Sequence, residues 1–434
     1  MRYDLQGKNM KKYFIPMQHT HSCVAGLYFH GGNIVENREN RGISHLLEHM
    51  IFRRLDTLKM KELYRNLNRQ GFDLRGFTNE KMIGFYIQTP LKKINDAADL
   101  LLKILQKYDY TEEEVEAEKR VVLRQIDEKS VYFFDKKTHR KYYRNTPFAK
   151  LIMGRQKDVE KIDATMVNEY KNKLFCSENA VFIMTGNFTN EVQEEISHKI
   201  EQIEAVDNRQ GIYTSEMEDV LPKHFGKRTE KDDLLVDCGY SLCDMSVSFD
   251  ILRECNPFAV DMLMNIFVNG DGAKLQWKLK DKKGWTGDVF GSIENFANFA
   301  RFKIDYAVEE EDLPDSMICF AKTLQKAKEN LSEKDREEVI GFHTFQPGLW
   351  DDSCEYNQYI AESVFTQGSS AYEVKEIIRQ YANVTVEELK QLANEIFTPE
   401  NMSISVGYDS WYTKKSTLEK KCRKMRKILG GQYL

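Results

Sequence analysis

Apolar positions along the chain fall into short alternating runs separated by longer stretches with helical spacing. Residues 12–17 (KYFIPM) and 24–30 (VAGLYFH) are rich in β-branched and aromatic types and read as strands, followed by the turn Gly31-Gly32-Asn33. The apolar run at 42–52 (GISHLLEHMIF) reads as a helix, and Met60, Leu63, Tyr64 and Leu67 recur at i, i+3, i+4 and i+7 to predict a second one ending at Gly71. Residues 72–78 and 83–89 alternate as strands, which Pro90 stops. Thr111 followed by Glu114 is a capping box that opens a long charged helix through at least residue 128. A helical pattern returns at 159–173, and 179–187 reads as a strand ending in a turn. The first half is therefore β-β-α-α-β-β-α-α-β, an α+β arrangement.

The second half repeats the ending of the first. Residues 175–182 (FCSENAVF) are echoed by 397–404 (FTPENMSI), each after a charged helix and each running into a strand and a glycine, Gly186 and Gly407. Two copies of one fold follow: an N-terminal domain over 1–203, a polar linker over 204–218 and a C-terminal domain over 219–434. A helix begins near residues 256–263 in the second copy, and an acidic helix start, favourable against the helix dipole, is expected at 309–315.

Composition removes several classes of function. With 63 basic and 68 acidic residues the net charge is −5, so no global basic field argues for nucleic acid. The N-terminus lacks the apolar core of a signal peptide, and no uncharged apolar run of about 18 residues could span a membrane, so a cytoplasmic protein is expected. The eight cysteines are scattered without a C-x-x-C pair, which fits reduced, buried thiols. The basic segment after residue 410 reads as a solvated terminal helix or as a docking tail for an acidic partner. His19, His21 and His30 lie on or between strands and read as surface or edge residues.

His45, Glu48 and His49 change the picture. On a helix the two histidines share a face at i and i+4, with Glu48 beside them at i+3. A random H-x-x-E-H is expected only ~0.01 times in a chain of this size at ordinary composition. Two satisfied core histidines would be the bland alternative. Three polar groups on one otherwise apolar face favour a metal site with a base beside it.

H-x-x-E-H is the inverzincin order, and its surroundings resemble the pitrilysin, insulysin and mitochondrial processing peptidase family along nearly the whole length. The resemblance rests on Gly31-Gly32-Asn33, on residues 39–50 (ENRGISHLLEHM), on Phe77-Thr78, and on the glutamate-rich stretch 116–123 (EAEKRVVL). It implies a zinc endopeptidase of two similar α+β halves, one side of a clamshell chamber. His45 and His49 would be metal ligands, Glu48 the general base and Glu118 a supporting catalytic glutamate, with Phe77 and Thr78 on the strand that receives substrate. The third ligand position, a glutamate in the family, is Gln125 here, which removes one negative charge facing Zn²⁺. A substrate-holding Arg and Tyr of the C-terminal half are replaced in residues 283–287 (KGWTG) by Lys283 and Gly287.

Two functions follow from the resemblance. One is a zinc-dependent endopeptidase subunit acting on an extended peptide, such as a leader or precursor, with a homologous partner in a heterodimer or as a homodimer. The other is a degenerate, non-catalytic subunit that binds peptide or stabilises an active partner. The intact histidines and Glu48 favour the first; Gln125 and the missing Arg/Tyr pair favour the second.

Overall fold

A computed structural model describes residues 9–128, 133–239, 242–252, 254–270, 272–296, 298–349 and 374–432. The extreme N-terminus and Cys354 lie outside them. The described residues divide into two compact units: 9–128 and 150–219 fall in the first, and 133–149, 220–348 and 374–432 in the second.

The first unit opens with β1 (Lys11–Pro16) and β2 (Ser22–His30), a 3₁₀ turn over Gly32–Val35, and α1 (Ile43–Arg53). A two-residue hairpin follows, β3 (Arg54–Leu55) and β4 (Leu58–Lys59), then α2 (Met60–Gln70), β5 (Asp73–Thr78) and β6 (Met82–Pro90). Helices α3 (Ile94–Leu102) and α4 (Glu112–Glu128) complete this stretch. Gly71 ends α2 at φ +69°, a left-handed position where glycine carries no steric penalty. The capping box at α4 is present: the Thr111 N–H donates to Glu114 Oε2 at 2.9 Å, and the Glu114 N–H returns to Thr111 Oγ1 at 3.3 Å. After α5 (Phe133–Tyr142), which belongs to the second unit, come α6 (Gln156–Val159), α7 (Ala164–Leu174), β7 (Ala180–Gly186) and α8 (Asn190–Val206). The single helix expected over 159–173 is thus two, because Asp163 takes the N-cap of α7 and accepts from the Met166 N–H.

The segment expected as a polar linker over 204–218 packs on the first unit. Helix α8 runs to Val206, Tyr213 stacks on His30 with ring centroids 4.8 Å apart, and the Tyr213 hydroxyl donates to buried Glu218 at 2.7 Å. His30, expected at a surface or edge, is consequently buried.

The second unit continues with β8 (Leu234–Asp237), β9 (Leu242–Leu252), α9 (Pro257–Met264), α10 (Lys274–Gln276), β10 (Val289–Asn295), β11 (Phe299–Glu309), α11 (Leu313–Glu329) and α12 (Glu333–Leu349). It ends with α13 (Val374–Asn383), α14 (Val386–Ile396), β12 (Met402–Tyr408) and α15 (Lys415–Leu429). The acidic helix start is shorter than expected, since Glu309 still belongs to β11 and α11 begins after Asp312.

The two sheets have the same topology. The first runs β1-β7-β2-β6-β5 and the second β8-β12-β9-β11-β10, each with its first strand parallel to its last and its other pairs antiparallel. The echoed residues do the same work in both copies. Asn179 Nδ2 donates to the carbonyls of Leu174 and His30 at 3.1 and 2.6 Å, while Asn401 Nδ2 donates to those of Ile396 and Asp250, both at 2.8 Å. Phe175 packs against Phe29 and Phe85, as Phe397 packs against Phe249 and Phe302. An asparagine that ties the end of a helix to a central strand, and a phenylalanine beneath it, explain why FxxEN recurs. The seven described cysteines form no disulfide with one another; Cys23, Cys176, Cys243 and Cys422 are buried as expected, whereas Cys238, Cys255 and Cys319 are half-buried. Among the described residues no helix is long and apolar enough to cross a membrane.

Candidate active site

Helix α1 is held by its burial and by its N-terminus. Ile43, Leu46, Leu47, Met50 and Ile51 are all fully buried, each worth ~1.5–3 kcal/mol against exposure. The helix lacks a capping side chain at its own N-cap, Gly42. The cap comes from Glu36, whose carboxylate accepts the Gly42 and Ser44 N–H groups at 2.9 and 3.0 Å. Burial pushes the Glu36 carboxyl up to about 7, against the pull of these donors and of Lys150. Lys150 itself binds the preceding turn, donating to the carbonyls of Asn33 at 3.1 Å, Ile34 at 2.8 Å and Glu36. Ser44 Oγ donates to the Gly32 carbonyl at 2.7 Å and sits 2.8 Å from the Tyr170 hydroxyl. Gly42 has φ +88°, and a Cβ there would lie 2.7 Å from the Met153 carbonyl oxygen. The glycine of ENRG is therefore obligatory.

Helices α1 and α4 lie antiparallel along a row of polar pairs. Arg54, just beyond α1, donates to Glu114 at 2.7 Å; His49 Nδ1 meets Glu118 Oε1 at 3.0 Å; His45 Nε2 meets Gln125 Oε1 at 3.1 Å. Glu118 is buried, and its second oxygen lies 3.7 Å from Arg53. With Nδ1 turned to Glu118, Nε2 of His49 is left for a metal, and a carboxylate behind a histidine in this way fixes its ring and raises its basicity.

His45, Glu48 and His49 bring their donor atoms within 4.8 Å of one another. The histidine rings meet edge to face with centroids 4.7 Å apart, and His45 Nδ1 is 3.5 Å from Glu48 Oε2. The residues fit zinc. Donors at ~2.1 Å from one tetrahedral ion stand roughly 3.4 Å apart, close to the His45–Gln125 separation.

Sheet residues complete the site. Thr78, expected as a substrate contact, directs its hydroxyl onto Glu48 Oε2 at 3.3 Å. Phe77 packs near Tyr28, with ring centroids 6.3 Å apart. Its strand, β5, is the edge of the first sheet and among the described residues pairs only with β6. The motif reading missed Gly76: a Cβ there would come 2.8 Å from both Glu48 Oε1 and the Phe52 ring. It also missed Glu36, Lys150 and Arg54, whose roles depend on segments far apart in the chain. Lys283 lies in the second unit, exposed, with its ammonium 4.8 Å over the ring of Trp285.

Two α+β units of identical topology, one carrying a zinc-type His/Glu/His cluster, define a class of metallopeptidase fold. Residues 14–156 match the family model described as Insulinase (Peptidase family M16), and 161–341 match Peptidase M16 inactive domain. The chain belongs to the M16 peptidase family. It is similar to an "Uncharacterized zinc protease" of Rickettsia bellii, 23% identical over 90% of this chain and 93% of that one. It is also similar to a probable mitochondrial-processing peptidase subunit beta of Arabidopsis thaliana, 22% identical over 56% of this chain. The chain spans 45% of that relative's length. In fold it resembles a peptidase M16 inactive domain from Pseudomonas fluorescens, with TM-score 0.81 and 15% identity over 93% of this chain and 97% of that one. A protease from Helicobacter pylori gives TM-score 0.78 and 15% identity over 92% and 97%.

Proposed function

We propose that the chain is a zinc-dependent endopeptidase subunit that cleaves an extended peptide together with a homologous partner chain. The observation that carries this reading is the convergence of His45, Glu48 and His49, with Glu118 behind His49. His45, His49 and Gln125 would hold the zinc, which when bound polarises the scissile carbonyl and makes a water more acidic. Glu48, with Oε2 held by Thr78, receives the proton of the attacking water and returns it to the leaving amine. Glu118 touches His49 and acts as a positioning residue. The edge strand β5, which among the described residues pairs only with β6, suits a peptide added as a further strand, whose main-chain hydrogen bonds require no particular sequence.

The partner is supported by two observations. Lys283 and Gly287 stand where the family's substrate-holding Arg and Tyr are expected, and several relatives carry the description "subunit beta". A degenerate, non-catalytic subunit is the second reading, favoured by Gln125. The deciding experiment is zinc content and cleavage of an unstructured peptide by the chain alone and by the chain mixed with a homologous subunit from the same genome. Absence of zinc from the supplemented complex, with cleavage unaffected by Glu48→Gln, would overturn the peptidase reading.

A further inference from the structure

The second unit contains a groove whose lysines, Lys283 apart, have no role in the proposed reaction. Its volume is 1310 Å³, and it is lined by α10 and the residues just after it, α11, the start of α12, and α15. Of its 20 lining residues nine are lysine and none is arginine, against three carboxylates, Asp315, Asp335 and Glu338. Each carboxylate already faces a lysine of the same groove: Asp335 pairs with Lys274, Asp315 with Lys421 at 3.3 Å, and Glu338 with Lys334 at 3.9 Å. Six lysines are in excess.

These cations repel one another. Lys322 and Lys326 stand four apart on α11, and Lys421 and Lys424 three apart on α15, spacings at which like charges destabilise a helix. A concave wall concentrates their field. Trp277, half exposed, and Trp285 lie on the same wall, with Lys282 5.0 Å over the first ring and Lys283 4.8 Å over the second. The arrangement is complementary to an extended polyanion that also offers apolar surface.

We propose that this groove binds an acidic stretch of a peptide, which gives the chain a charge preference in the peptides it handles; the inference rests on the peptide-processing reading above. A nucleic-acid strand fits less well. Its regularly spaced phosphates would meet the carboxylates of Asp315, Asp335 and Glu338 on the same walls, whereas the acidic side chains of a peptide can be spaced to avoid them. The groove also lacks arginine, the side chain suited to bidentate phosphate recognition, and the chain as a whole is net negative.

The test is fluorescence anisotropy with the full-length Glu48→Gln chain, which cannot consume its probe. The probes are a labelled glutamate-rich peptide of about ten residues, its glutamine counterpart, and a single-stranded DNA of equal charge. The acidic peptide is expected to bind at least tenfold more tightly than the other two, and to weaken by about tenfold or more as salt rises from about 50 to 500 mM. The triple variant Lys278→Glu, Lys322→Glu, Lys424→Glu should lose at least tenfold in affinity with an unchanged circular dichroism spectrum. If it does not fold, Lys322→Gln with Lys326→Gln should still lose several-fold. Equal affinity for the glutamate and glutamine peptides, tighter binding of the DNA, or undiminished binding by the folded variants would overturn the proposal. Acidic-peptide binding by a chain that cleaves nothing even with its homologous subunit and zinc supplied would leave the groove standing and remove the peptidase reading. Cleavage without charge preference would do the reverse.

Discussion

The amide oxygen of Gln125 lies 3.1 Å from Nε2 of His45, where the proposed site would take its third zinc ligand. A neutral oxygen there leaves the site one negative charge short. Gln125→Glu should therefore tighten zinc binding by about 10–100-fold, read as metal retained during chelator titration. Equal retention by both proteins would show that Gln125 does not face the metal.

Glu48→Gln should remove peptide cleavage by ~10²–10⁴-fold while bound zinc stays unchanged, because the group lost carries a proton and is not a ligand. Thr78→Val removes only the hydroxyl that orients Glu48, and should lower kcat about three- to tenfold with KM little changed. A Thr78→Val chain altered in KM alone would place the hydroxyl on the substrate instead.

Gly76→Ala tests the close approach of β5 to α1. The added Cβ would meet Glu48 Oε1 and the Phe52 ring at 2.8 Å, so Glu48 must move. Activity is expected to fall further than in Thr78→Val, with thermal stability lowered by about 1–3 kcal/mol. A fully active Gly76→Ala chain would show that Glu48 needs no such fixed position.

Glu36→Ala would leave two buried N–H groups of α1 without an acceptor. A loss of about 1–3 kcal/mol is expected, with weaker zinc retention because the His45 turn is no longer anchored. Urea unfolding and metal content measure the two effects separately.

Burial, helped by Lys11 and Lys81, lowers the His30 pKa to about 3 from an ordinary 6.5. Its contribution to stability is present above pH 6.5 and is lost as pH falls from there toward 3. His30→Phe keeps a ring against Tyr213 and removes this proton uptake. Between pH 6.5 and 4.5 the variant should gain about 2–3 kcal/mol relative to the wild type in paired urea titrations. Parallel curves would show that His30 titrates normally in the folded chain.

The local periodicities settled most elements of the first unit. Strand alternation at 24–30 and 83–89, the Thr111/Glu114 capping box and the Gly71 stop all describe interactions within a few residues, which sequence displays directly. The FxxEN echo reported two copies of one topology because the same asparagine and phenylalanine solve the same packing problem twice. The break before α7 and the docking of 207–218 were not legible, since a competing cap and a stacking partner, Tyr213 on His30, decided them.

Sequence by itself determined the His45/Glu48/His49 constellation, because i, i+3 and i+4 on one helix are neighbours whatever surrounds them. Only the tertiary structure decided what those residues face. Glu118 and Gln125 meet the histidines through antiparallel packing of α1 and α4. Thr78 and Gly76 reach Glu48 from a sheet edge, and Glu36 caps the helix from outside it. Each of these contacts joins segments whose separation along the chain carries no periodic signal, so packing had to bring them together.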